Sequence, residues 1–426
     1  MRRYQKYFKR ILNIIISGSL RHIIFRLIGL DNYISLILKA ADHRGNQRAQ
    51  KNILCIERTI FEKDINELSY RVRKYGWIWL RKNQITVYQT PILPKSHLTQ
   101  RKYIDKIKEA PNQWEECIKR SKILMKRFQR EKNVCALMLG NLDYWQDYTL
   151  REACIELGIP VLILAKEYPY NSLKLIDNYL DYYKEYKPNA DAIMVFGKRM
   201  KEAFSRLDGF DKNKIFITGS PRIDRWRSIE NTSKSTYEGL VIISFMFGEY
   251  NKKTFLDLLH KISLYFKNEN LGKITVKSRE QGDHQVTVNY CKKEGLKNVD
   301  VIQNISIHDL VSHSKAIIAL NSLATIESML SVKPILVPDW LIEQRDEKLF
   351  DPNDKLSQTV VKLCIKEQDL LDNISRIFKN KNSNITEECI VARKEFIAKF
   401  WEYDDKISAS SKVQGVIDKF VEGVSS

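Results

Sequence analysis

The segment from Ala319 to Ser328, Ala-Leu-Asn-Ser-Leu-Ala-Thr-Ile-Glu-Ser, followed by Lys333-Pro334-Ile335-Leu336-Val337-Pro338, has residue types suited to holding an anionic ligand. An apolar run ends at Leu320, Asn321 and Ser322 turn the chain, and a helix is predicted from near Ser322. A helix start exposes unpaired N–H groups and the positive end of the helix dipole, which suits a phosphate. Ser322 and Thr325 add hydroxyls, and Glu327, about one turn inside, can accept from the ribose of a nucleotide. The structural alternative is an ordinary strand–turn–helix, with Ser322 as N-cap and Glu327 in solvent. Upstream, Ser306 and Asp309 have the spacing of an acidic capping box. His308 between them is expected to face outward near the same ligand. Lys277 ends another apolar run, where it offers a point charge to a donor phosphate.

A second constellation combines Gly140-Asn141-Leu142-Asp143-Tyr144-Trp145-Gln146-Asp147 with Lys166-Glu167-Tyr168-Pro169. Both fall at the predicted carboxyl ends of neighbouring strands, where an acceptor would enter past Asn141 and Lys166. An inverting group transfer needs a general base near the acceptor hydroxyl. Glu167, Asp143 and Asp147 are the carboxylates placed for it, the alternative for each being a solvated loop acid. A third element is Thr218-Gly219-Ser220-Pro221-Arg222-Ile223-Asp224. Gly219 permits a turn, Ser220 can cap, and Pro221 suits a first helical position. Ser220 and Arg222 are expected on the donor side of a cleft mouth, the alternative being a hinge held by an Arg–Asp ion pair.

The elements that must position these residues are short apolar runs alternating with helical stretches. Strands are predicted at 52–56, 77–80, 85–88, 134–139, 160–164, 192–196 and 215–218, then at 240–245, 274–276, 299–302, 316–320 and 334–337. Continuous apolar strands alternating with helices are the signature of parallel sheets covered on both faces. The predicted fold is α/β, with two doubly wound Rossmann-like domains facing a cleft. The expected division is basic amphipathic helices over 1–45, an acceptor domain over 46–225 and a polar linker over 226–239. A nucleotide-sugar domain over 240–405 and a C-terminal helix over 406–426 complete it.

The arrangement resembles GT-B glycosyltransferases. The stretch 319–338 resembles their C-terminal signature, small polar residues at a helix start and then Glu327 seven residues before Pro334. Thr218 to Asp224 is similar to the TG-x-PR-x-D stretch of bacterial surface-polysaccharide enzymes. Those include capsule and lipopolysaccharide glycosyltransferases, CDP-glycerol glycerophosphotransferases and UDP-GlcNAc 2-epimerases. The Gly140-Asn141 and Lys166-Glu167 segments resemble surface carbohydrate biosynthesis proteins of this type. The resemblance covers roughly 133–338. It implies a metal-independent transferase moving sugar from a UDP, CMP or GDP donor to a growing surface polysaccharide or lipid-linked glycan. The nucleotide-sugar is then a substrate, and neither metal nor cofactor is expected. A 2-epimerase or glycerophosphotransferase is the alternative on the same fold. The chain lacks the His and Pro that some relatives carry after Lys277, and the Gly-rich acidic segment usual in epimerases at 321–327.

Composition bounds these readings. The chain has 426 residues, 43% hydrophobic and 29% charged, which excludes a disordered or fibrous protein. A net charge of +19 points to anionic partners. No D-x-D, P-loop, H-E-x-x-H or G-x-S-x-G motif occurs, and no nucleic-acid motif supports a non-catalytic basic module. The seven cysteines are scattered without C-x-x-C, as expected of free thiols in a reducing cytosol. The uncharged run from Ile11 to Leu20 is about half the ~20 residues needed to cross a bilayer. The expected location is therefore cytoplasmic, with the basic N-terminal helix either lying on the inner face of the membrane or packed on the protein body.

Overall fold

The computed structural model describes residues 11–58, 61–98, 103–142, 144–165, 189–206, 211–231, 239–244, 248–278, 281–320, 322–341, 349–380, 385–403 and 406–423. These fall into two units. One takes the described residues up to Asp224 together with those from Trp401 onward, and the other takes those from Arg225 to Phe400.

The first unit is built on β1 (Asp42–Gly45), β2 (Asn52–Ile56), β3 (Gly76–Leu80), β4 (Val134–Leu139), β5 (Val161–Leu164), β6 (Ala192–Val195) and β7 (Ile215–Ile217). Their order is β1-β3-β2-β4-β5-β6-β7. All pairings from β2 to β7 are parallel, and β1 lies antiparallel on the edge with Asp42 opposite Trp79. Strands such as Gly76–Leu80 and Val161–Leu164 are buried at every position, as a sheet covered on both faces requires. Phe61, Ile65 and Leu68 of the helix Phe61–Arg71 pack in one core with Ile53, Cys55 and Met138.

The second unit carries β8 (Gly239–Ile243), β9 (Ile274–Lys277), β10 (Val299–Ile302), β11 (Ser314–Ile318), β12 (Ile335–Pro338) and β13 (Lys362–Cys364). They are all parallel, in the order β10-β9-β8-β11-β12-β13. Phe255, Leu258, Leu259 and Ile262, at the spacing of one helix face, cover Leu240, Ile242, Ile274 and Val276. Strand order reverses between β2 and β4 in the first sheet and between β8 and β11 in the second. Such switch points open a crevice at the strands' carboxyl ends.

Three expectations are corrected. Residues 85–88 are not a strand but part of the helix Lys82–Gln89. Both edges of β3 are already occupied, by β1 and β2, so a strand directly after it has no free edge to join. The 1–45 segment is not helical throughout, because Asp42–Gly45 forms β1. The expected linker is helical in its first part: the 3-10 helix Pro221–Asn231 continues into it, with Trp226 buried.

The C-terminal helix Ala409–Glu422 belongs to the first unit, where Val413, Val416 and Ile417 enter its core. Gly219 makes room for the returning chain. Its φ is +75°, and a Cβ there would sit 2.6 Å from the Glu402 carbonyl oxygen.

Candidate functional site

At the β2/β4 switch point, β2 is followed by Glu57 and Arg58, and β4 by Gly140 and Asn141. A Cβ on Gly140 would lie 2.8 Å from the Phe61 ring, so glycine lets the strand end close on that helix. Arg58 Nη2 donates to Asp147 Oδ1 at 2.6 Å, with side chains 11% and 4% exposed. The same guanidinium lies 4.7 Å from the centre of the Tyr144 ring. Asp147 sits in the first turn of the helix Trp145–Glu156, where a carboxylate also complements the helix dipole.

A buried polar chain fixes that helix. Tyr88 and Ser121 hydroxyls lie 3.1 Å apart, Ser121 and Thr149 hydroxyls 3.0 Å apart, and Gln89 Nε2 donates to Thr149 Oγ1 at 2.7 Å. Arg151 Nη1 pins the loop after β4 by donating to the Leu142 carbonyl at 2.8 Å.

Asp147, expected as a general base, is instead paired with Arg58, and a carboxylate closed against a guanidinium is not open to an acceptor hydroxyl. Asn141 is half-buried at the same strand end. Asp143, Lys166 and Glu167 lie outside the described residues, as does Asn321.

In the Thr218–Asp224 segment Arg222 makes an Arg–Asp ion pair, as the structural alternative expected, with the distant Asp64 as its acid. Asp64 is fully buried; its Oδ1 accepts from the Ser220 hydroxyl at 2.7 Å and the Arg222 N–H at 3.0 Å. Arg222 Nη1 lies 3.3 Å from Asp64 Oδ2, and the guanidinium stacks over Phe196. Asp224, also buried, accepts from the N–H groups of Ala409 and Ser410 at 2.9 and 2.8 Å and from the Ser410 hydroxyl at 2.6 Å. It thus caps the C-terminal helix from a distant part of the chain. Ser220 and Arg222, expected as donor ligands, are bound to Asp64 in the interior and staple the helix Phe61–Arg71 to β7. Asp64 escapes sequence reasoning because a lone acid on an amphipathic helix carries no signal of its distant partner.

The second unit places several expected residues along the carboxyl ends of one sheet. Lys277 closes β9; its Nζ donates to the Ser278 carbonyl at 3.0 Å and to the Gln303 carbonyl beyond β10. Directly after β11, Ser322 caps the helix Leu323–Ser328 by accepting from the Thr325 N–H. The Thr325 hydroxyl donates to the Leu320 carbonyl and is fully buried, and Glu327 is 7% exposed. The alternative of a solvated Glu327 therefore does not hold.

Two hydroxyls in this region hold no hydrogen bond among the described residues: Ser244 Oγ, beyond β8, and Ser278 Oγ, beyond β9. Both residues are nine-tenths buried or more. Unsatisfied buried hydroxyls at strand ends are points at which a ligand can bond.

His308 is not outward-facing. Its ring meets Trp226 edge-on at 5.1 Å, its Nδ1 lies 3.0 Å from Asp309 Oδ1, and its Nε2 has no partner among the described residues. Burial opposes ionisation of Asp309, but the bonds from Ser306 and His308 prevail and hold its carboxyl below the usual range. Among the described residues no group of three or more His, Cys, Asp or Glu side chains is placed to hold a metal ion. Burial pushes the thiols of Cys117 and Cys364 up to about 12, so neither is a thiolate nucleophile at neutral pH.

No family model and no curated protein matches the sequence. Solved structures do match. MnaA of S. aureus, determined with UDP, aligns with a TM-score of 0.51 at 12% identity, covering 88% of this chain and 98% of its own. A protein of Listeria monocytogenes assigned as a UDP-N-acetylglucosamine 2-epimerase gives 0.50 at 12% identity, with 88% and 98% covered. TarM of S. aureus, as a mutant determined with UDP, fondaparinux and alpha-GlcNAc-glycerol, aligns at 14% identity over 71% of this chain with a TM-score of 0.39. This chain spans 59% of TarM's length. With one parallel sheet in the order 3-2-1-4-5-6 and the other wound the same way, the chain has the GT-B fold of two Rossmann-like units.

Proposed function

We propose that the chain is a metal-independent glycosyltransferase that moves a sugar from a nucleotide-sugar donor to a bacterial surface polysaccharide or lipid-linked glycan. The observation that carries the reading is the position of Ser322, Thr325 and Glu327. They follow β11 at the point where the second sheet reverses its strand order, at the same carboxyl end of the sheet as the unsatisfied hydroxyls of Ser244, after the adjacent β8, and Ser278, after β9. This is where open α/β sheets take nucleotide ligands, and MnaA was determined with UDP. In this reading Lys277 and Ser322 meet the donor phosphates and Glu327 accepts from the ribose. Preorganised donors of that kind stabilise the charge that develops on a departing phosphate. The acceptor is taken by the first unit near Asn141 and Lys166, with Asp143 or Glu167 as base.

A 2-epimerase is the second reading, favoured by the Listeria protein, which aligns over 98% of its length. Both readings demand nucleotide binding. UDP, CDP, CMP, GDP and ADP are screened by thermal shift, where a ligand at about 100 times its dissociation constant adds about 2.7 kcal/mol. One nucleotide is expected to respond, and Glu327→Gln is expected to weaken it by about tenfold, the worth of one buried hydrogen bond to a charged group. Silence toward all five overturns both readings. Product analysis with the matching sugar donor and a glycan acceptor then separates them, a glycosylated acceptor with free nucleoside phosphate marking transfer and an altered donor marking epimerisation.

A further inference from the structure

The first thirty residues carry seven basic side chains, Arg2, Arg3, Lys6, Lys9, Arg10, Arg21 and Arg26, and no acid; Asp31 is the first carboxylate. From Ile11 onward they form the helical segments Ile11–Ser17 and Arg21–Ala40, which meet at 98°; the second is broken at Gly29, whose φ is +72°. One side of this corner is fixed to the protein. Leu12 and Ile16, four residues apart, are buried. Asn13 donates to the Ala40 carbonyl at 2.8 Å and accepts from Gln84 Nε2 at 3.0 Å. The Tyr33 hydroxyl donates to the Ile16 carbonyl at 2.8 Å, and its ring holds Phe25 edge-on at 5.5 Å.

The opposite side is apolar and uncovered. Ile11, Ile14 and Ile15 on the first helix, and Leu20, Ile23 and Leu27 around the second, follow the spacing of single helix faces. All six are exposed, Ile14 by 60% and Leu27 by 79%. Arg26, between Ile23 and Leu27, is exposed as well. Exposed large aliphatic side chains gathered in one segment of a chain mark an interaction surface. No single described helix is long and apolar enough to cross a membrane; the pair reaches that length and apolarity only together, across a bend of 98°. Two helices at this angle, apolar on one side and flanked by basic residues, have instead the make-up of segments that lie in the plane of a lipid interface.

We propose that this corner is a docking surface for an anionic lipid bilayer, with the six aliphatic side chains entering the acyl boundary and the basic residues meeting lipid phosphates. Charge selects the occupant. A second copy of this chain would set like charges against like, which disfavours that pairing, whereas an anionic leaflet attracts each Lys and Arg near its surface. The proposal stands apart from the donor chemistry, since lipid binding is read without nucleotide.

The test is flotation of the full chain with vesicles of equimolar phosphatidylcholine and phosphatidylglycerol, against phosphatidylcholine alone. The protein is expected to float with the mixed vesicles only. Partitioning should weaken by about tenfold or more between about 0.1 M and about 1 M salt, as the Debye length falls from about 10 to about 3 Å. The double variant Ile14→Glu, Leu27→Glu changes exposed positions, so its melting temperature should match that of the unaltered chain while its vesicle binding falls by at least about tenfold. Equal flotation of the variant, or equal binding to uncharged vesicles, overturns the proposal. So does an unaltered chain that binds neither vesicle and self-associates through this face, with the variant monomeric.

Discussion

Asp64 shows how a single buried carboxylate decides what its neighbours do. Ser220 and Arg222 have residue types suited to an anionic ligand, yet both turn inward because Asp64 is already an anion, fixed by the helix Phe61–Arg71. Breaking a buried pair by removing one partner costs about 3–5 kcal/mol, mostly from the charge left behind. Asp64→Ala should therefore lower the unfolding free energy of the first unit by at least about 3 kcal/mol in urea titration. Nucleotide affinity, carried by the other unit in the proposed reading, should stay within about twofold. An unchanged urea midpoint would remove Asp64 from the scaffold, and lost nucleotide binding at unchanged stability would return Arg222 to the donor site. The sequence marks Arg222 within a distinctive segment but not its partner, since Asp64 is far away in the chain and has no marked local context. Ser322 and Thr325 were legible for the opposite reason: their bonds are local, to a cap and to the carbonyl of Leu320.

Among elements, parallel strands were the most legible, because a strand buried on both faces must be apolar at nearly every position. Edge and terminal elements were not. β1, of sequence Asp-His-Arg-Gly, has no apolar alternation; pairing with β3 and the Arg44 contact over the Trp79 ring hold it. Residues 85–88 read as a strand by composition, but the filled edges of β3 leave them helical. The C-terminal helix was visible by its period, though not its docking place. That place depends on Asp224 capping its start, and on Asp418 taking a bond from the Tyr75 hydroxyl at 2.5 Å. Val413 lies at the centre of its buried face and is fully enclosed. Val413→Asp forfeits about 1.5–3 kcal/mol of burial and adds the cost of an unpaired charge. The variant should melt far below the unaltered chain in the transition belonging to the first unit, as followed by near-ultraviolet circular dichroism. A melt within a degree or two would mean that this helix is an accessory.

At the scale of the molecule, the route of the chain matters more than the length of either unit. Among the described residues, the chain leaves the first unit at Asp224 and re-enters it at Trp401, so the second unit is carried as an insertion before the first is finished. Residues 225–400 enclose a complete core, from Leu240 on β8 to Ile374 on the helix Glu367–Lys379. Residues 1–224 do not, lacking Val413, Val416 and Ile417 and leaving the buried Asp224 carboxylate without its three donors. Losing three buried aliphatic side chains removes about 5 kcal/mol or more, comparable with the whole stability of an ordinary domain. Produced alone, 225–400 should unfold in one cooperative transition, and 1–224 should show none. Joining 1–224 to 401–426 through a short Gly-Ser bridge should restore a cooperative melt, because the helix then recovers its cap and its place in the core. A cooperative melt of 1–224 alone, at the temperature of the joined form, would show that the first unit is complete without the returning chain.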